Sequence, residues 1–140
     1  MDADAIVIGA GIVGAACAHA LAQAGLWVLV LDARIGGATG AGMGHLVVMD
    51  DNAAELELSR RSVAQWRALA PRMGEDCAYS PCGTLWIAAN AEEMAEAERK
   101  QQRLHAHGID GRLLTASGLA RAEPALRKGL AGALEVPGDG

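Results

Sequence analysis

The stretch Ile6-Val7-Ile8-Gly9-Ala10-Gly11-Ile12-Val13-Gly14 decides the fold of this chain. Its three β-branched residues predict a strand, and the spacing GxGxxG follows at once. In such a motif the first glycine permits a tight turn, the second lets a pyrophosphate approach the backbone, and the third lets helix and strand pack closely. Phosphates are favoured at the helix N-terminus, where N–H groups lack partners within the helix. The stretch therefore predicts a dinucleotide-binding β-α-β unit.

The residues that follow complete this unit in the required order. We predict a helix from Ile12 to Ala24, a helix cap at Gly25 and a second strand from Leu26 to Leu31. Asp32 ends that strand, 18 positions after Gly14. An acid about 20 residues after the motif accepts a hydrogen bond from a ribose hydroxyl, and its charge disfavours the 2′-phosphate of NADP. This order predicts an adenine dinucleotide without deciding which one.

The same apolar run has a rival interpretation as a membrane helix. Residues 5–31 are 27 positions without a charge, which is long enough to cross the ~30 Å apolar layer of a bilayer. However, the chain begins Met-Asp-Ala-Asp and lacks the basic residues of a signal peptide. Parallel strands that are buried on both faces show the same absence of charge. We therefore predict a soluble unit with two buried strands and no membrane span.

A second glycine-rich segment follows Asp32. Five of the nine residues from Gly36 to Gly44 are glycine, and each costs up to ~1 kcal/mol in a helix relative to alanine. We therefore predict a loop and not a helix. The segment leads directly into the apolar run 46–49, which we predict to be a buried strand. Because a flexible linker rarely ends in a buried strand, a second ligand-contacting loop is favoured over a linker.

Taken together, these motifs resemble the FAD-dependent family of D-amino-acid oxidase, glycine oxidase and sarcosine oxidase. The motif GAGIVG, an acid after the second strand, and a glycine-rich stretch before an apolar segment stand in the family's order, although Asp32 replaces the more usual Glu. Residues 42–51 and 82–86 look most like a bacterial branch of D-amino-acid and hydroxyproline dehydrogenases and hydrogen cyanide synthase subunits. The resemblance runs from Ala5 to the C-terminus and implies FAD as the cofactor.

The resemblance also implies which residues contact FAD, since the family's loop corresponding to 39–46 runs along the pyrophosphate and ribityl chain. The implied cofactor-binding residues are Gly9, Gly11, Ile12, Val13, Gly14, Asp32, Ala33, Arg34, Thr39, Met43, Gly44, His45 and Leu46. The implied reaction oxidises the C–N bond of a D-amino acid, glycine or secondary amine. The family's catalytic residues lie later in the chain, so none is assigned here. His45 would lie near the flavin, but a lone His in an apolar segment is more often structural.

The rest of the chain predicts an α/β fold with an incomplete second domain. Asn52 and Asn90 begin capping boxes of two helices, which end near Pro71 and Gly108. Further predicted elements are strands near Tyr79, at 84–88, at 113–114 and at 131–136, and a helix at 117–123. We expect residues 1–76 to form the Rossmann-like FAD-binding portion and residues 77–140 to begin an α+β substrate domain. At 140 residues the chain has the length of an N-terminal part of a family member.

Composition limits the remaining function classes. The chain has 12 Lys and Arg against 17 Asp and Glu, and this net charge of −5 opposes non-specific nucleic-acid binding. Its three cysteines form no CxxC pair, which indicates a reduced, cytoplasmic protein without a zinc site. Cys17 is expected to be a small buried residue, and Arg60, Arg61, Arg67 and Arg72 a solvated helix face. The expected partners are an amino acid or amine substrate and, in an oligomer, further copies of this chain or other subunits.

Two other function classes remain open at this stage. In the first, the chain is an NAD-dependent dehydrogenase domain, and the glycine-rich segment is an ordinary loop. In the second, it is a non-catalytic fragment that binds a dinucleotide and turns nothing over. Identification of the bound dinucleotide separates these classes from a flavoprotein.

Overall fold

The computed structural model of the chain describes residues 2–49, 51–74 and 77–140. Strands and helices alternate along it, as predicted for the α/β class. The chain divides into two compact units, one up to Gly44 and one from His45 onward. No helix among the described residues is both long enough and apolar enough to cross a membrane.

The first unit is a strand–helix–strand arrangement. It contains β1 (Ala5–Ile8), α1 (Ile12–Gln23), β2 (Val28–Leu31) and a single helical turn, α2 (Ala38–Ala41). The two strands pair in parallel, with Ala5 opposite Val28 and Ile8 opposite Leu31. Parallel neighbours require a crossover connection, which α1 supplies. The predicted β-α-β order is confirmed.

The end of α1 follows the predicted glycine cap. Gly25 has a φ of +86°, in the left-handed region that glycine adopts readily. Its N–H donates to the carbonyl oxygen of Ala22 at 3.0 Å, and the N–H of Leu26 donates to that of Leu21 at 3.2 Å. This pair of bonds is a Schellman motif, which satisfies carbonyl groups that the helix leaves open.

Two expectations for the first unit are wrong. The strands are not buried, since Ile6 is 60% and Ile8 is 86% exposed. Val7 faces Gly14 of α1, so strand alternation places Ile6 and Ile8 on the opposite face, which the described residues of this unit leave largely exposed. The glycine-rich segment also contains a helical turn, α2, closed by the Gly42 N–H and the Ala38 carbonyl oxygen at 2.9 Å. One turn needs few such bonds and tolerates glycine where a longer helix would not.

The second unit contains the remaining elements. They are α3 (Ala53–Leu69), a 3₁₀ turn (Ala70–Arg72), β3 (Thr84–Ala88), α4 (Ala91–Ala106), β4 (Arg112–Thr115), α5 (Ala116–Ala122) and β5 (Gly132–Val136). The three strands form an antiparallel sheet in the order β3-β5-β4. The Asn52 Oδ1 accepts from the Ala54 N–H at 2.9 Å, and the Asn90 Oδ1 accepts from the Glu93 N–H at 2.9 Å. Both predicted N-caps are confirmed.

The core of the second unit joins α3, α4 and the sheet. Its buried members are Val48, Leu56, Val63, Ala97, Leu104, Leu134 and Val136. Because Leu56 and Val63 are the buried residues of α3, this helix belongs to the second compact unit. The division into an FAD-binding portion (residues 1–76) and the start of a substrate domain (residues 77–140) is a functional assignment and stays a prediction.

The segment before β3 differs from the prediction. Residues 77–83 contain no strand, because Ala78 has a φ of +49° and Pro81 has no N–H to donate. The antiparallel partner of β3 is β5, with Trp86 opposite Leu134. The apolar run 46–49 is likewise not a regular strand, although Val48 is buried.

Two side-chain expectations are also wrong. Cys17 is exposed, and none of the residues of its helix, α1, is buried. Arg67 is not merely solvated, since its Nη2 donates to the carbonyl oxygen of Gly138 at 2.7 Å. Arg60 and Arg61 both bind the carboxylate of Glu57 on the same helix.

Candidate dinucleotide-binding site

The turn from β1 to α1 begins at Gly9. Gly9 has a φ of +97°, and its N–H donates to the carbonyl oxygen of Leu31 at 2.7 Å. An L-residue would be strained in this conformation. The first glycine of the motif therefore has the backbone role that the sequence predicts.

Gly14 and Gly11 allow close approaches that a side chain would prevent. A Cβ atom on Gly14 would overlap the carbonyl oxygen of Gly9 and lie 3.4 Å from the Val7 Cγ1. A Cβ atom on Gly11 would lie 3.1 Å from the Thr39 Oγ1. The third glycine thus seats α1 against the turn, and the second keeps the space in front of the helix free of side-chain atoms.

The N-terminus of α1 presents unpaired N–H groups. Gly11 is its N-cap residue and offers no side chain, while the Thr39 Oγ1 accepts from the Ile12 N–H at 2.9 Å. Among the described residues, no acceptor takes the N–H of Val13 or Gly14. Two donors therefore point out of the positive end of the helix dipole, which is the arrangement that binds a phosphate.

Asp32 lies beside the glycine turn and is held by two main-chain bonds. Its Oδ2 accepts from the Ala10 N–H at 2.6 Å, and its Oδ1 accepts from the Arg34 N–H at 2.6 Å. These two bonds lower the pKa of the Asp32 carboxyl below its ordinary value of 3.8, and the bond from Ala10 has the larger effect. The ionised carboxylate is exposed and has further lone pairs with which to accept from a ribose hydroxyl.

The other predicted site residues divide between the two units. The first unit brings Gly9 to Gly14, Asp32, Arg34 and Thr39 together through the bonds above, and Ala33, Met43 and Gly44 are exposed in the same unit. His45 and Leu46 belong to the second unit. There His45 is exposed, and Leu46 exchanges two main-chain hydrogen bonds with Gly140, at 2.7 and 3.1 Å.

Sequence reasoning missed the internal partners of the site. The bonds from Ala10 to Asp32 and from Ile12 to Thr39 join residues 22 and 27 positions apart. The motif order showed that these segments meet, but no local pattern indicates which donor meets which oxygen. The described residues contain no group of three or more His, Cys, Asp or Glu side chains arranged to hold a metal ion.

The first unit fits the adenosine diphosphate half of a dinucleotide. Val13 and Gly14 offer N–H groups for a phosphate, Gly11 leaves the approach open, and Asp32 offers a carboxylate for a ribose. A parallel β-α-β unit with this turn defines an α/β dinucleotide-binding protein. Residues 4–140 match the family described as FAD dependent oxidoreductase, and the chain belongs to that family. The predicted family is confirmed, and FAD is its cofactor; the narrower bacterial branch stays a prediction.

Known proteins similar to the chain are longer enzymes. The structure resembles glycine oxidase from Bacillus cereus ATCC 14579, with 28% identity and a TM-score of 0.82 over 99% of this chain and 39% of that one. It also resembles L-proline dehydrogenase from P. horikoshii, with 26% identity and a TM-score of 0.82 over 99% and 37% of the two chains. In sequence it is 34% identical to the tRNA 5-methylaminomethyl-2-thiouridine biosynthesis bifunctional protein MnmC of Burkholderia pseudomallei (strain K96243), covering 91% of this chain and 20% of that protein.

Proposed function

We propose that this chain is the FAD-binding part of a flavoenzyme that oxidises the C–N bond of an amino acid or related amine. The observation that carries the proposal is the N-terminus of α1, where the N–H groups of Val13 and Gly14 have no acceptor among the described residues. Family membership adds that the dinucleotide is FAD. The chain spans about two fifths of the similar glycine oxidase, so the proposal concerns the whole enzyme as well as this part.

The proposed role of the first unit is to bind and orient the cofactor. The N–H groups of Val13 and Gly14 hold a phosphate, and the Asp32 carboxylate accepts from the adenosine ribose. The Thr39 hydroxyl, which accepts from Ile12, lies beside that phosphate position and can donate its own hydrogen to a phosphate oxygen. When FAD is bound, its flavin ring supplies the acceptor for the hydride that leaves the substrate carbon. Ala33, Arg34, Met43, Gly44, His45 and Leu46 complete the proposed FAD-binding set.

The proposed substrate is a small amine and not a nucleic acid. The names of two similar structures refer to glycine and L-proline, which are amino acids, and the name of the MnmC relative refers to a methylaminomethyl group. The net charge of −5 favours a small substrate over RNA, because RNA binding rests on cationic contacts to phosphates. Within the amine class, the proposal includes D-amino acids, glycine and secondary amines.

Cofactor titration tests the proposal. The purified chain is mixed with FAD or NAD, and binding is followed by flavin fluorescence and by release of the bound dinucleotide on denaturation. We expect FAD to bind and Gly11→Val to abolish binding, because the new side chain fills the space beside Thr39. Gly74→Val is the matched control, since no described residue other than its chain neighbours lies within 4 Å of a Cβ atom at Gly74. A chain that takes up NAD and not FAD would contradict the proposal and favour the dehydrogenase alternative.

A second measurement concerns the reaction. The FAD-loaded protein is given D- and L-amino acids, glycine, secondary amines and unmodified RNA in the absence of any electron acceptor, and oxygen or a dye is added afterwards to reoxidise the flavin. Bleaching of the flavin by an amine supports the proposed reaction class. A protein that binds FAD and is bleached by none of these amines is a dinucleotide-binding fragment without this activity.

A further inference from the structure

The carboxylate of Asp32 is held at both of its oxygens. Its Oδ2 accepts from the Ala10 N–H and its Oδ1 accepts from the Arg34 N–H, each at 2.6 Å. One donor on each oxygen fixes the plane of the carboxylate, because rotation about the last side-chain bond would misalign both hydrogen bonds. A carboxylate oxygen has two lone pairs, so each oxygen keeps one with which to accept from a ribose hydroxyl.

Both donors depend on backbone in the left-handed region. Ala10 follows Gly9, whose φ is +97°, and Arg34 itself has a φ of +55°. Glycine adopts this region readily, whereas the side chain of Arg34 makes the conformation unfavourable. Among the described residues, Arg34 and Ala78 are the only ones other than glycine with a positive φ. Strained backbone of this kind is found most often at functional sites, and Arg34 lies two positions from the proposed ribose acceptor.

The side chain of Arg34 does not enforce this conformation. It is exposed, and its guanidinium group makes no hydrogen bond or ion pair with the part of the chain that the structure describes. The main-chain N–H is instead the group through which Arg34 binds Asp32. An Asp side chain that accepts from the N–H two residues further on forms an Asx turn, so this bond depends on the backbone conformation between the two residues.

We propose that Arg34 is a positioning residue for Asp32, through its main chain and not through its guanidinium group. Its left-handed conformation places the Arg34 N–H on Oδ1, and the carboxylate is thereby held in the orientation that accepts from the adenosine ribose of FAD. This inference rests on the proposed function, because the ribose contact of Asp32 is part of it. Ala10, Asp32 and Arg34 all belong to the first unit.

The experiment compares Arg34→Asn with Arg34→Val in the whole chain. Neither variant has the guanidinium group, so both lose its charge and any contact that it makes with FAD. The variants differ in the backbone, because asparagine tolerates the left-handed region and β-branched valine does not. The pKa of Asp32 is measured without cofactor by NMR of the side-chain carboxyl carbon, with its signal assigned from Asp32→Asn. FAD affinity is measured by fluorescence titration.

We expect the pKa of Asp32 to be lower in Arg34→Asn than in Arg34→Val, because the hydrogen bond from residue 34 favours the ionised carboxylate. FAD should bind Arg34→Asn more tightly than Arg34→Val by about fivefold or more, since only the second variant loses a hydrogen bond to a charged acceptor. Arg121→Val, at an exposed residue of α5 in the other unit, is the control and should leave both quantities at their wild-type values.

Equal pKa values of Asp32 in the two folded variants overturn the inference, as does equal affinity for FAD. If Arg34→Val does not fold, Arg34→Ala takes its place in both comparisons, because alanine also disfavours a positive φ. The same two equalities then overturn the inference.

The two proposals fail in different ways. If the wild-type chain takes up no FAD, the proposed function is wrong and the ribose part of this inference falls with it, whereas the pKa of Asp32 still decides whether the main chain of Arg34 holds the carboxylate. If the wild-type chain binds FAD and the asparagine and valine variants bind it equally well, the proposed function stands and the positioning role is wrong.

Discussion

The carbonyl oxygen of Gly9 occupies the space that a Cβ atom on Gly14 would need. This contact seats the first turn of α1 directly on the turn that follows β1. It leaves no room for even the smallest side chain, and the nearest obstruction is backbone, which cannot rotate away. The same contact therefore affects both the stability of the first unit and its proposed binding of FAD.

The first prediction concerns this contact. Gly14→Ala is expected to displace α1 from β1. A shift of about 1 Å moves the N–H groups of Val13 and Gly14 away from the phosphate. FAD affinity in the fluorescence titration should therefore fall by about tenfold or more, which corresponds to about 1.4 kcal/mol. Gly74→Ala is the control, since an added Cβ atom there meets no described residue within 4 Å apart from its chain neighbours. Equal FAD affinity in the two variants would contradict the packing argument.

The second prediction concerns the charge of Asp32. Asp32→Ala removes the proposed ribose acceptor and the acceptor of the Ala10 and Arg34 N–H groups, so FAD affinity should fall by about tenfold or more. Asp110→Ala, which changes an exposed acid of the other unit, should leave affinity unchanged. Isothermal titration calorimetry at neutral pH measures both.

The pH dependence of FAD binding follows from the same carboxylate. The bonds from Ala10 and Arg34 depress the pKa of Asp32 below 3.8, so the ionised form predominates above that pH. Its contribution should be constant between about pH 5 and 8 and be lost as the pH falls through the depressed pKa. An affinity that changes across neutral pH in the wild type but not in Asp32→Asn would be inconsistent with this assignment.

The third prediction concerns Glu57, which binds Arg60 and Arg61 on α3. Hydrogen bonds from Arg60, then Arg61, lower the pKa of Glu57 from 4.5 to about 2. A depressed pKa gives a stabilising contribution that is complete above about pH 4.5 and is lost as the pH falls toward about 2. The contribution is small because all three side chains are partly or largely exposed to water.

Thermal unfolding of Glu57→Gln against pH measures this contribution. We expect a slightly lower melting temperature than wild type at pH 7, and a difference that shrinks as the pH approaches 3. Glu98→Gln is the control, because Glu98 is an exposed acid on α4. A difference that grows toward acid pH would show that the sign is wrong.

The fourth prediction concerns the buried side chain of Lys100. Its ammonium group binds the Asp51 carboxylate and lies 5.6 Å from the centre of the Trp86 ring. The Lys100 side chain is 8% exposed, whereas that of Asp51 is 68% exposed and also binds Arg103. The hydrogen bond from Lys100 is the first cause that lowers the pKa of Asp51.

Removing either partner of this ion pair should have unequal effects. Lys100→Met replaces a buried cation with an apolar side chain of similar length, so the free energy of unfolding should stay within about 1 kcal/mol of wild type. Asp51→Ala leaves the cation buried without this carboxylate and should cost about 1–2 kcal/mol, less than for a fully buried pair because water screens Asp51. Urea unfolding measures both, and a larger loss for Lys100→Met would contradict the argument.

Local signals predicted the parts of the fold whose partners are close in sequence. The glycine turn, the cap at Gly25 and the N-caps at Asn52 and Asn90 each depend on a few neighbouring residues, and all four are present. The candidate site followed from the order of such signals between β1 and Asp32. The outline of the candidate site could therefore be predicted from the sequence.

Features that depend on distant packing were not accessible in this way. The apolar pattern of Ile6 and Ile8 predicts burial, but burial depends on elements that no local pattern names. β3 pairs with β5 and not with the segment near Tyr79. β5 begins at Gly132, which is 48 positions after Thr84, the first residue of β3. The hydrogen bond between the Val48 N–H and the Asp139 carboxylate likewise could not be predicted, because no sequence pattern around either residue indicates the other.

The position of β5 in the chain has a consequence for the timing of folding. β5 is the central strand of its sheet, and β3 and β4 pair with it and not with each other. During synthesis, β3 and β4 therefore have no sheet partner until residues 132–136 have left the ribosome. The helices α3 and α4 can form earlier from local contacts, whereas the sheet assembles late and in one step. A ribosome stalled before residue 132 should carry a second unit that is helical but still open to proteases.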